Sequence, residues 1–116
     1  MPQQQSTAIL ELIRCLRHFG GRPGMCIRPV DVQNAQSFLG GVTIAAQVLA
    51  GVPYRMEDLK AVVAARGWRL SDRPIPPPEE ELPHQMRQRG MSDAQIIAEL
   101  AEIEAVMLER QLAASA

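Results

Sequence analysis

Between Asp31 and Arg55 the chain carries no charged residue. A surface helix normally spreads charge over its outer face, so a charge-free run of this length must lie inside the fold or have its polar side covered. The run is not a bilayer span, because Gln33, Asn34, Gln36, Ser37, Thr43 and Gln47 interrupt it, and spanning takes about 18 or more predominantly apolar residues in a row. Asp31 is a good N-cap, and Val32, Ala35, Phe38, Leu39, Val42, Ala45, Ala46 and Leu49 share one broad apolar arc. The pattern predicts a long helix over Val32–Ala50, placed at the centre of the fold. Gly40-Gly41 interrupts it at a cost of about 1 kcal/mol per Gly relative to Ala, so a second helix is expected to cross there, where a backbone comes close.

The remaining segments read as shorter helices around it. Ile9, Leu12, Ile13, Leu16 and Phe19 recur at three- and four-residue spacing, predicting a helix over Thr7–Phe19 capped by Ser6 or Thr7 and ended at Gly20-Gly21. Arg22-Pro23-Gly24-Met25 reads as a tight turn and Cys26–Val30 as extended chain. Met56–Arg66 should form a third helix with Leu59, Val62 and Val63 inward, Gly67 closing it and Trp68 packing back. Residues 71–83 contain five prolines, which predicts a semi-rigid polyproline-type connector. Beyond it lies a helical segment over 84–113. A short turn closes at Gly90, and a long helix opens with a Ser92/Gln95 capping box and a Met91/Ile96 staple, with Ile96, Leu100, Ile103 and Met107 as its apolar stripe. The expectation is one all-α domain over 1–116, an orthogonal or bundled packing of four to five helices, with room for a two-strand ribbon around Cys26 and Trp68.

Charge is divided unevenly along this chain. Residues 1–78 hold nine basic and five acidic side chains, and residues 79–116 hold three and eight. The total is close to neutral, at −1, which gives general nucleic-acid attraction no support. Two cysteines are too few for a disulfide framework, and Met1–Thr7 is Gln-rich and polar, so a reducing cytoplasm is the expected setting.

Candidate chemistry is sparse. Cys15, His18, Cys26 and His84 would come to a metal from three separate segments, without the paired short spacings of a zinc site, so no metal and no cofactor is expected. A Cys26–His84 thiol pair has no sequence support, and no Ser sits in a nucleophile-elbow setting, so no catalytic residue is assigned. The Gly-rich Gly20–Met25 segment lacks the Lys-Ser/Thr of a phosphate loop and reads as a structural turn. What stands out is the acidic terminal helix. Glu99, Glu102 and Glu109 fall within about 80° on a helical wheel, and with Glu104 they are the candidate partner-binding residues, suited to a basic protein surface.

Leu12-Ile13-Arg14 through Arg22-Pro23-Gly24-Met25-Cys26-Ile27 resembles the R-x-R-P-G-M-Y-I-G stretch of type II topoisomerase ATPase domains. The helix that follows lacks that family's acidic residues, which excludes it. The same Arg22–Ile27 segment, with Ala35–Gly41 and Met86–Ser92, is similar to short bacterial proteins with an R-P-G-M motif, associated with contact-dependent toxin systems. That resemblance implies an immunity-like role: a non-enzymatic protein occluding a basic toxin domain through its acidic helix. The alternative is a self-associating helical module, a homodimer whose seam is the polar but uncharged face of the Val32–Ala50 helix (Gln33, Gln36 and Gln47) with Gly40-Gly41. Neither reading involves nucleic acid or a membrane.

Overall fold

The computed structural model describes residues 3–115, without the side chain of Ser115; Met1 and Pro2 of the polar opening, and Ala116, lie outside them. Five α-helices follow one another: α1 (Gln3–Gly21), α2 (Val32–Ala50), α3 (Met56–Ala65), α4 (Leu82–Gln88) and α5 (Asp93–Ser115), with 3₁₀ turns at Pro23–Met25 and Pro78–Glu80. The all-α expectation holds.

The central helix is α5, not α2. Its most extensive packing is along α1, and α2, α3 and α4 also rest on it. The apolar stripe read from the sequence is accordingly too narrow, since Ile97, Ala101, Ala105 and Leu108 are buried as well as Ile96, Leu100, Ile103 and Met107. The close crossing is also elsewhere. A Cβ on Gly20 would lie 3.1 Å from the Ala101 Cβ and 3.5 Å from the Ala98 Cα, so α1 meets α5 where a side chain is missing. At Gly40 and Gly41 a Cβ would meet nothing within 4 Å.

Local signals account for several helix ends. The Asn34 N–H donates to Asp31 Oδ1 at 2.7 Å, capping α2 as expected. The Ser92/Gln95 box forms in both directions, Gln95 N–H to Ser92 Oγ at 3.2 Å and Ser92 N–H to Gln95 Oε1 at 2.8 Å. Gly67 and Gly90 take positive φ (88° and 82°) after α3 and α4. There the next residue turns back, Trp68 N–H to the Val63 carbonyl at 3.0 Å and Met91 N–H to the Met86 carbonyl at 3.2 Å. By contrast α1 begins four residues upstream of Thr7, whose hydroxyl donates to the Gln3 carbonyl at 3.0 Å from inside the helix instead of capping it.

The two-strand ribbon does not form, and no strand occurs among the described residues. Its N–H groups are committed locally: Cys26 and Ile27 both donate to the Pro23 carbonyl, and Trp68 to Val63. The proline-rich connector is tied down more than its composition suggests. Gln85 accepts from Arg69 N–H at 3.0 Å and donates to the carbonyls of Arg69 (2.7 Å) and Glu80 (3.0 Å), fastening both ends of the segment to α4.

Candidate functional site

The four glutamates singled out on α5 do not present one free acidic surface. Glu99 takes a two-pronged pair from Arg66, Nε and Nη2 each at 2.7 Å, and its Oε2 also accepts the Trp68 indole N–H at 2.9 Å. The Arg17 guanidinium of α1 bridges Glu102 (2.9 and 3.1 Å) and Glu109 (2.8 and 3.0 Å). These three carboxylates stitch α5 to α1 and to the end of α3. Trp68 is closed in further by the Arg89 guanidinium, 4.1 Å above its ring. The Arg17 pairs are solvent-exposed, and such pairs are worth about 0–1 kcal/mol each. The Glu99 side chain is only 16% exposed, so its bonds count for more.

Glu104 stands apart. On the wheel it lies about 140° from Glu99, which turns it from the Arg17 side towards α2. There its Oε1 accepts the Tyr54 hydroxyl at 3.0 Å, and its Oε2 lies 3.2 Å from Thr43 Oγ1. The Thr43 hydroxyl also lies 3.0 Å from the Leu39 carbonyl, and one proton cannot serve both acceptors. A protonated Glu104 resolves the conflict by donating to Thr43, which then donates to Leu39. No ion pair reaches Glu104 among the described residues.

Opposite pKa shifts follow. For Glu99, burial works upward, but the bonds from Arg66 and Trp68, with the Arg66 charge, outweigh it and hold the carboxyl below its usual range. The Arg17 bonds likewise lower Glu109. For Glu104, burial dominates and raises the carboxyl, with the Tyr54 and Thr43 hydroxyls pulling partly back. Tyr54 is itself raised, first by burial and then by the neighbouring carboxyl. Lowered acids stabilise fully above their unfolded pKa, and that stability is lost as pH falls through the folded value. A raised acid stabilises fully below its unfolded pKa, and loses the contribution as pH rises through the folded one. Glu104→Gln, whose amide can keep both hydrogen bonds, is therefore expected to flatten the decline in stability above about pH 5 while leaving the acid-side decline intact. Melting temperatures of both proteins across pH check this; parallel curves would contradict it.

Two hollows flank Glu104, and Thr43, Tyr54 and Glu104 line both. One is narrow and holds about 20 Å³, room for about one water. The other is an open groove of about 320 Å³ walled by Leu39, Leu59, Leu82, Leu100 and Ile103. Around the helix from that groove, the outer face of α2 is bare. Ile44, Val48 and Leu49 are 62%, 74% and 84% exposed.

No group of His, Cys, Asp and Glu fit to hold a metal occurs among the described residues, and both cysteines are unpaired and exposed. No described helix is long and apolar enough to cross a membrane. Comparison with protein-family models, with curated proteins and with solved structures finds no match.

Sequence reasoning missed the partners more than the glutamates. Arg17, Arg66, Thr43 and Tyr54 carry no motif, and their role depends on which helices meet. One signal was present: Glu104 falls off the arc shared by Glu99, Glu102 and Glu109.

Proposed function

We propose that the chain is a non-enzymatic protein-binding module that self-associates through the outer face of α2. The observation that carries this reading is the exposure of Ile44, Val48 and Leu49 on a helix without a single charge. On the wheel, Gly41, Ile44 and Val48 fall within about 60°, and Leu49 extends the arc on one side. Exposed apolar patches of this kind mark association sites.

A second copy is the occupant the face fits best. An uncharged face offers no charge for a foreign partner to complement, yet two copies meet there without like-charge repulsion. A two-fold axis makes such a face its own complement. Gly41, with open space around it, lets the two backbones approach.

The expected affinity is modest. A 19-residue helix is about 28 Å long, and one face of it falls short of the roughly 800 Å² per partner of a standard interface. Burying each side chain yields about 1.5–3 kcal/mol, against an association cost of about 4–15 kcal/mol. A dissociation constant on the order of 10–100 μM is the expectation.

Occlusion of a basic toxin by Glu99, Glu102, Glu104 and Glu109 would first have to open the Arg17 and Arg66 pairs. The immunity-like role implied by the R-P-G-M resemblance therefore stands as the competing reading, with a basic toxin as the occupant of the acidic helix. Exposed, unpaired thiols at Cys15 and Cys26 fit a reducing cytoplasm for either occupant.

Sedimentation velocity across concentration tests the proposal. The wild type is expected to shift from monomer to dimer through the micromolar range. Val48→Glu should stay monomeric at unchanged stability, within about 0.5 kcal/mol. A wild type that remains monomeric at several hundred micromolar, or a Val48→Glu variant that dimerises equally, overturns self-association.

A further inference from the structure

Among the four α5 glutamates singled out, Glu104 alone has only neutral partners. Glu99 has Arg66, and Glu102 and Glu109 share Arg17. Glu104 has the hydroxyls of Thr43 and Tyr54, and it sits in the wall of the groove between α2, α3 and α5. The groove's lining is otherwise Gln36, Leu39, Gly40, Leu59, Leu82, Leu100 and Ile103, and that of the narrow hollow beside it adds no titratable group. Among the described residues, Tyr54 is thus the only other ionisable side chain lining either space.

Small-molecule sites have this character: an apolar recess of about 300 Å³ or more with a few convergent polar groups, one of them a carboxyl in an unusual electrostatic setting. An ionised carboxylate offers about four acceptor positions, and the Tyr54 and Thr43 hydroxyls take at most two of them. The unused positions, the missing counter-charge and the aliphatic walls all describe one kind of ligand.

The geometry points to a binding site for a free primary alkylammonium, its chain lying along Leu39, Leu59, Leu100 and Ile103 and its head paired with Glu104. A size of about 320 Å³ suits a small amine, and the site is distinct from the self-association face. Gln36, Gly40 and Thr43 lie towards one side of α2, and Gly41, Ile44 and Val48 on the next arc.

Binding is coupled to a proton. Burial raises the Glu104 carboxyl, and only its ionised form pairs with an ammonium, so binding draws the proton off and tightens as pH rises through the ionisation of Glu104. A cation beside the carboxylate then supplies the charge that burial opposes.

The test is titration of the full chain with n-hexylammonium and, separately, with n-hexanol. It is read from methyl chemical shifts of Leu39, Leu100 and Ile103 and from calorimetry in two buffers of different ionisation enthalpy. The wild type is expected to bind the ammonium at least about tenfold more tightly than the alcohol, with proton release. Glu104→Gln is expected to bind both equally and weakly. Equal affinity of the wild type for the two probes overturns the inference without recourse to any variant. So does undiminished ammonium binding by Glu104→Gln, or the absence of shifts at millimolar probe. Sedimentation of the same samples reports the α2 interface separately, so failure here leaves self-association standing.

Discussion

Glu99→Ala is expected to lower the unfolding free energy by about 2–4 kcal/mol, far more than an exposed helix glutamate would. Two groups lose their acceptor at once. The Trp68 indole N–H, on a residue only 8% exposed, has no other acceptor among the described residues. Arg66 loses both prongs of its pair, although it keeps partial access to water. A buried donor left without a partner costs about 1–3 kcal/mol, and hydrogen bonds to charged groups are the stronger kind. Glu99→Gln keeps an acceptor for Trp68 but loses the charge, so it should cost roughly half as much. Urea denaturation of the two variants measures the order. A Glu99→Ala loss under about 0.5 kcal/mol would return Glu99 to the solvent and reopen the acidic helix as a recognition surface.

The glycines should behave in opposite ways. At Gly20 even a bare Cβ would press on Ala101 at 3.1 Å, with the Ala98 backbone close behind. Gly20→Val must therefore push α1 off α5 along the main interface of the fold, at an expected cost of about 2–3 kcal/mol, within the range for overpacked cores. Gly40→Ala and Gly41→Ala enter open space inside a helix. Each should stabilise the chain by about 0.5–1 kcal/mol through helix propensity. Thermal unfolding of the three variants at one protein concentration checks this, and a stabilised Gly20→Val would contradict the observed crossing.

These contrasts show what the sequence could and could not convey. Asp31, Ser92-Gln95, Gly67 and Gly90 act through neighbours within about six residues, so helix ends could be read directly from the chain. The identity of the central helix could not. The charge-free 32–54 run suggested the interior, yet α2 leaves its bare arc outside. The charged α5 is the helix surrounded by others, because Arg17 and Arg66 arrive from distant segments to neutralise its glutamates. Ion pairs 85 and 33 residues apart in sequence leave no periodic trace. The same limit applied to glycine: Gly40-Gly41 and Gly20-Gly21 look alike, and only the tertiary packing separates the crossing from the open surface.

The proposed function rests on this redistribution. With Glu99, Glu102 and Glu109 committed to holding the fold together, unspent binding capacity lies with Ile44, Val48 and Leu49 on one side of α2 and with Glu104 on the other. The most direct measurement of the central claim is an isotope-filtered NOE experiment on a mixture of labelled and unlabelled chain at several hundred micromolar. Self-association through α2 predicts intermolecular NOEs among the Ile44, Val48 and Leu49 methyls that fade on dilution. Intermolecular NOEs confined to another face, or none at all, would contradict it.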